Sequence, residues 1–549
     1  MEEEGTVAHS TEVAKGTFWG LVGNIFLKAF SFLYVIYIAR AVSQDDVGLF
    51  YLSLSIIGLL GAWRDFGLPV SLARYMPYYE SRHEGGKVRG LVRSAYILNA
   101  LSGIVLSGAL WLVADVAGAF YQNAALSEAL RLISSFMLIE NIFKVGSGFL
   151  QGKADIKSMQ AMGAAQNLLK LVFTVLFFQL FGASLAWLIW AFLLSYVAAM
   201  VIFAPQIIRS YYSIPATGGE LPLRELVREI APFGLVLSLI QVFSTLVSYS
   251  DRVILGYLLP AASANGGIAI YSLAVTLAMN VMVFPGAVGG IFMPLISRLV
   301  GTNDTESVRK VMGTAQRWTL FITLPFAVVM VAFSSEMLTV LYGQGYAGGA
   351  AAMSIFMLGM FFSLFTQVIA LALAGMRLVN LEFKIVLAVG ALNVILNFLF
   401  IPVLGIEGSA LASAASFAIS MLLFCHYGWK LIGFRMPSAA YRMVFAGAAT
   451  LVLLFFLKPV VLSAASAVPA VGTGEIGVYL TKGIRFGFIG IIAAFSGAAF
   501  ALFCLLLKCF EQEDIAIMRK AGRRVMVPDA LAGLAEKIVS YGIANSKKG

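Results

Sequence analysis

Apolar runs of about 20 residues, each long enough to cross a bilayer as a helix, recur along the chain between short polar breaks. They begin near Gly16, Val47, Leu91, Ala129, Met159, Ala183, Pro232, Ile268, Val311, Gly349, Leu381, Ile406, Met443 and Ile484, which predicts about fourteen transmembrane helices. Only helices and closed barrels satisfy the backbone inside a bilayer, and runs of this length are helical. An all-α polytopic membrane protein is expected.

The polar breaks set the orientation. Alternate connections carry Arg82, Lys87 and Arg89; Lys153 and Lys157; Arg209, Arg224 and Arg228; Arg298, Arg309 and Lys310; Arg377 and Lys384; Lys430, Arg435 and Arg442. The connections between them, Asp115 to Glu128, Pro260 to Gly267, Ser334 to Gly348 and Pro402 to Glu407, have neither Lys nor Arg. Cationic loops stay on the cytoplasmic side, so the first set is expected inside the cell membrane and the second outside. An even number of spans then puts both termini in the cytoplasm.

The pattern also repeats. Tyr51 in GLFYLSLS matches Tyr271 in IAIYSLAV, Met76-Pro77 matches Met293-Pro294, Val88-Arg89 matches Val308-Arg309, and Gly182 to Ala186 resembles Gly408 to Ala412, all at offsets of about 220 residues. Each copy holds about six spans, and an even number gives both the same orientation, as in parallel repeats about an axis normal to the membrane. The expected organisation is an N-lobe over 1–204, a linker over 205–231, a C-lobe over 232–430, two accessory helices over 431–507 and a basic tail over 508–549. Within the linker, Leu223, Leu226, Val227 and Ile230 share a helical face, as in an interfacial amphipathic helix.

Composition agrees: 60% of residues are hydrophobic and 12% charged, and the mean hydropathy is +0.90, far from the about one-quarter charge of soluble chains. The net charge of +10 is accounted for by the loops and the tail, so no nucleic-acid partner is expected. The tail, with Arg519, Lys520, Arg523, Arg524 and Lys537, suits anionic lipid headgroups. The acidic start MEEEGTVAHS lacks the basic region of a cleavable signal, and the first span is the expected insertion signal. Three cysteines without paired spacing predict neither a disulfide framework nor a zinc site, and scattered His9, His83 and His426 offer no metal cluster. No Gly-rich phosphate loop ending in Lys-Ser/Thr is present, which argues against ATP hydrolysis, and no cofactor is expected.

Charges inside spans are costly and mark pathways. Lys28 lies in the first span, Arg64 and Asp65 in the second, Glu140 and Lys144 in the fourth, Lys170 in the fifth, and Asp251 with Arg252 in the seventh, Phe233 to Leu259. Glu140 and Lys144 are four residues apart and can simply pair. The adjacent pairs Arg64-Asp65 and Asp251-Arg252 diverge by about 100° on a helix, so each member needs its own partner or water. Lys28 and Lys170 have no acid within one turn and are candidates to face an aqueous cavity. Cations outnumber anions, which suits a phosphate or pyrophosphate group bound by Lys28, Arg64, Lys170 and Arg252. Asp65 and Asp251 are candidate sodium or proton coupling sites, the membrane potential being the other possible drive.

The stretches IARAVSQDDVGLFYLSLS, RDFGLPVSLARYMP, SYSDRVILGYLLP, GGIAIYSLAV, LYGQGYAGGA and LNVILNFLFIPVLGIEGSALASAASFAIS resemble, in their order, the polysaccharide (O-antigen type) flippases of the multidrug/oligosaccharidyl-lipid/polysaccharide flippase superfamily. The resemblance runs over about residues 10–430. It implies a non-enzymatic, monomeric transporter that moves a polyprenyl-(pyro)phosphate-linked oligosaccharide from the cytoplasmic to the outer leaflet by rocking of two lobes, with glycosyltransferases of the same pathway as possible partners. A cation-coupled multidrug exporter of the same superfamily is the alternative. It would require acidic groups where this chain has a surplus of cations.

Overall fold

The computed structural model describes residues 2–61, 67–219, 242, 245–246, 248–301, 304–376, 378–466, 475–510 and 514. Every element among them is a helix. In order these are α1 (Glu2–Ala41), α2 (Gln44–Gly61), α3 (Leu68–Ser81), α4 (Gly85–Phe120), α5 (Ala124–Ile133), α6 (Phe136–Gly152), α7 (Ile156–Phe181) and α8 (Leu185–Tyr212). Residues 248–258 are also helical. Then come α9 (Ala261–Met279), a 3-10 turn at Asn280–Met282, α10 (Val283–Gly301), α11 (Thr305–Ala332), α12 (Ser334–Tyr342), α13 (Ala350–Gly375), α14 (Val379–Ile432), α15 (Ser438–Ser466) and α16 (Glu475–Leu506).

Nine helical stretches among the described residues are long and apolar enough to cross a membrane. The expected count of fourteen is not reached by that measure, and the particular elements show why. The second span is divided between α2 and α3 around residues 62–66, which lie outside the described set, and the fourth is broken at Ser134-Ser135 between α5 and α6. The seventh is described only in part. The eleventh and twelfth run together in α14, whose 54 residues would extend about 80 Å, over twice the hydrocarbon thickness. They are separated inside it at Gly405 (φ 59°, ψ −130°), where the backbone leaves helical geometry beyond Pro402. Only a residue without Cβ adopts that conformation readily.

The chain forms two compact units, 1–272 and 273–549. In the first, Leu72, Met76, Tyr79, Val88, Leu91, Val145, Phe149, Leu150 and Met162 make a core shared by α3, α4, α6 and α7. At one end of this unit the turn before α4 meets the segment after α8: Gly86 N–H donates to the Thr217 carbonyl (2.7 Å), Thr217 Oγ1 donates to the His83 carbonyl (2.7 Å), and Arg89 donates to the Ile214 carbonyl. At another place the turn after α4 meets the beginning of α9, with Asn123 Nδ2 donating to Asn265 Oδ1 (3.0 Å). Two of the basic connections thus meet each other, and two of those without Lys or Arg meet each other. This is the pairing that alternating loops require.

The second unit is built around α11, which contributes to three buried clusters with α13 to α16. Asn397 Nδ2 donates to the Asn393 carbonyl (2.9 Å), Ser409 Oγ donates to Asn397 Oδ1 (2.9 Å), and Asn393 Nδ2 donates to Ser413 Oγ (3.4 Å). The latter two bonds tie the two halves of α14 together across Gly405.

Candidate functional site

Along α7 the residues Gln166, Asn167, Lys170 and Thr174 are all buried. Gln166, Lys170 and Thr174 are four residues apart, so they form a polar stripe on one face of the helix. The helix packs along α1 and α8, and Gln166 Nε2 donates to Ser195 Oγ of α8 (3.0 Å). Lys170, 8% exposed, donates from Nζ to Asn167 Oδ1 (3.0 Å) and sits 4.3 Å from the ring centroid of Tyr34 on α1. Tyr34 is 3% exposed, and its hydroxyl has no hydrogen-bond partner among the described residues. Its electrostatic neighbours are the phenols of Tyr51 and Tyr196.

Tyr51 leads to the second cation. The Arg252 guanidinium lies 6.0 Å from the Tyr51 ring centroid. It donates from Nε to Ser272 Oγ (2.9 Å) and from Nη1 to the Ser248 carbonyl one turn back (3.0 Å). Asp251 points elsewhere and accepts from the Tyr271 hydroxyl (2.7 Å). The two neighbours diverge as helical geometry requires, and each meets one of the two repeat-related tyrosines, Arg252 on Tyr51 and Asp251 on Tyr271. Tyr34 and Tyr51, electrostatic neighbours of each other, thus stand between Lys170 and Arg252 within unit 1.

The other predicted residues are placed as follows. Lys28 is on the exposed face of α1, whereas Lys170, expected like it to face an open cavity, is enclosed. Arg64 and Asp65 lie outside the described residues. Glu140 and Lys144 form the i,i+4 ion pair that their spacing suggests, at 3.4 Å.

Two immersed cations were missed by the reading of the sequence, Arg317 on α11 and Lys458 on α15. Both are paired: Arg317 Nε lies 3.3 Å from Asp514 Oδ2 with both side chains almost fully buried, and Lys458 Nζ lies 3.0 Å from Glu336. Trp318 Nε1 also donates to Asp514 (3.1 Å), so Asp514, near the beginning of the basic tail, is packed into unit 2. The signal for Arg317 was its place seven residues into an apolar run; the counter-ion 197 positions later had none. Among the described residues, then, buried Arg317 and half-buried Lys458 of unit 2 have carboxylate partners, and Lys170 and Arg252 of unit 1, both buried, have none. No group of three metal-binding side chains occurs among the described residues.

Comparison with known proteins follows the same lines. The chain is 20% identical over 438 residues to a probable low-salt glycan biosynthesis flippase, Agl15, of Haloferax volcanii, covering 76% of this chain and 83% of that one. Its fold is similar to that of the lipid II flippase MurJ in an inward closed conformation, with TM-score 0.68 and 15% identity over 88% of this chain and 97% of the other. It is also similar to an inward-facing multidrug resistance MATE transporter of the MOP superfamily, with TM-score 0.65 and 15% identity over 74% and 94%. The family model described as polysaccharide biosynthesis protein matches residues 13–300, more than half of the chain, and this multi-pass membrane protein therefore belongs to that family.

Proposed function

We propose that the protein is a flippase that carries a polyprenyl-phosphate or pyrophosphate-linked oligosaccharide from the cytoplasmic to the outer leaflet of the cell membrane. The observation that carries this reading is the contrast between the units: Arg317 and Lys458 are neutralised by Asp514 and Glu336, while Lys170 and Arg252 are buried without a carboxylate among the described residues. An uncompensated cation inside a membrane span is costly and persists where it meets an anion during function. Together with exposed Lys28, and with Arg64 as the proposed fourth member, it makes unit 1 attractive to a phosphate group. Membership in a polysaccharide biosynthesis family supports the saccharide, and the glycan-flippase relative supports the lipid-linked form. Asp65 and Asp251 are proposed as coupling residues, Asp251 through its bond to Tyr271.

Export of cationic drugs would call for the opposite polarity, so the likeness to the multidrug transporter is taken for the fold alone. The test is flipping of a fluorescent polyprenyl diphosphate carrying a short oligosaccharide in reconstituted vesicles. Lys28→Ala and Lys170→Met are each expected to slow it at least tenfold with normal membrane insertion. Full activity in both variants, or transport of a cationic dye in place of the lipid, would remove this reading.

A further inference from the structure

The 248–258 helix lies against α2 over a long seam. A Cβ added to Gly58 would stand 2.9 Å from the Tyr249 ring, one on Gly256 would stand 3.1 Å from Leu52 and Tyr121, and one on Gly48 would fall 1.9 Å from the Asn265 carbonyl oxygen. The pairs Gly58 with Tyr249, Tyr51 with Arg252 and Leu52 with Gly256 run in opposite directions along the two helices. They are therefore antiparallel and touch over about two turns. At the open end of the seam Phe120 stacks on Tyr257 with ring centroids 4.7 Å apart, the Tyr121 hydroxyl donates to the Val253 carbonyl (3.3 Å), and Asn123 meets Asn265.

The sequence repeat assigns α2 to the first copy and 248–271 to the second. Segments expected to belong to different lobes are thus packed together here, at the end that carries the connections without Lys or Arg. We propose that this seam is the closed outer gate of the transport path, and that Arg252, seated on the Tyr51 ring, is its latch. Arg252 is thereby a positioning residue as well as a candidate anion ligand.

Three features make Arg252 the latch. Its remaining bonds, to Ser248 and Ser272, lie within the 248–272 segment, so the Tyr51 ring is the contact that crosses the seam. A guanidinium over an aromatic face is favourable yet weak enough to be given up, unlike a buried ion pair. And Asp251, the nearest carboxylate in sequence, is occupied by Tyr271, leaving Arg252 free to leave Tyr51 for an anion that enters the cavity. The gate is then held while the path is empty and loosened by an arriving phosphate. What the gate closes against follows the flippase reading; the gate itself is read from packing and is measurable without substrate.

The experiment places single cysteines at Asn123 and Asn265 in protein whose Cys425, Cys504 and Cys509 are alanine, and follows their joining by a short bis-methanethiosulfonate cross-linker in vesicles. Efficient joining is expected in the parent, in Tyr51→Phe and in Arg252→Lys, which keep a ring and a charge. In Tyr51→Leu and Arg252→Met the rate should fall by about three- to thirty-fold, the range expected for loss of one cation–π contact. Monodisperse elution of each variant separates this from misfolding. Failure of the parent to join, or undiminished joining in both Tyr51→Leu and Arg252→Met, overturns the gate. Neither result depends on which lipid is carried. Adding the fluorescent polyprenyl diphosphate to the parent should slow joining; no response to it, with the variant effects intact, would strike at the anion and leave the latch standing.

Discussion

Lys170 and Arg317 are both buried cations in apolar helices, and their substitutions should behave in opposite ways. Lys170 has one amide acceptor and one ring face, which repay only part of the cost of taking an ammonium out of water. Lys170→Met is therefore expected to raise the thermal midpoint of the purified protein while slowing flipping, the separation that a residue kept for function should give. A fall in both would make it a structural residue. Arg317 has its carboxylate, and Asp514→Ala would leave it buried and unpaired, at a cost of about 3–5 kcal/mol, read as a lowered midpoint. The sequence made the immersed charges of the first half legible because a single Lys or Arg in an apolar run stands out. It could not reveal that Arg317 and Asp514 meet, since nothing local links residues 197 positions apart. Nor could it reveal that Tyr51 and Tyr271, matched by the repeat, would each take one member of Asp251-Arg252.

At the scale of elements, long apolar periodicity was a dependable guide to helix and a poor one to continuity. The Glu140–Lys144 pair and α4, α7, α8, α11 and α15 follow the runs directly, because nothing within them interrupts the backbone. The fourth run breaks at Ser134-Ser135, where the Ser134 hydroxyl donates to the Arg131 carbonyl (2.8 Å), a local bond that competes with helical continuation. The expected outer connection at Pro402 to Glu407 shrinks to a turn at Gly405. There the prediction is specific. Gly405→Ala places a Cβ on a backbone at φ 59°, ψ −130°, a region almost reserved for glycine, and should cost about 1–3 kcal/mol, measured as a lower thermal midpoint. Gly359→Ala, a helical glycine pressed against Ala414, serves as a packing control. If Gly405→Ala is as stable as the parent, the two halves of α14 are joined in some other way.

For the whole molecule the question is what would drive the proposed flipping in a chain whose sequence shows no Gly-rich phosphate loop ending in Lys-Ser/Thr. An anion leaving a cell whose interior is negative gains about 2.3 kcal/mol per charge for each 100 mV it crosses. A diphosphate group could thus be moved outward by the potential alone. The gain shrinks if the cations that bind it travel through the field with it, because the moving complex then carries less net charge. Lys28, Lys170 and Arg252 are fixed to helices, and Arg252 is also anchored to its own helix through the Ser248 carbonyl. Their displacement should be small beside that of the headgroup, and a net outward electrical force should remain. Dissipating the potential with valinomycin at equal potassium is therefore expected to slow flipping of the fluorescent polyprenyl diphosphate, with sodium and proton gradients both absent. Transport that ignores voltage and follows an imposed sodium or proton gradient would shift the drive to ion coupling. In that case Asp251, buried and bonded to Tyr271, is the residue to neutralise next, and Asp251→Asn should abolish the gradient dependence.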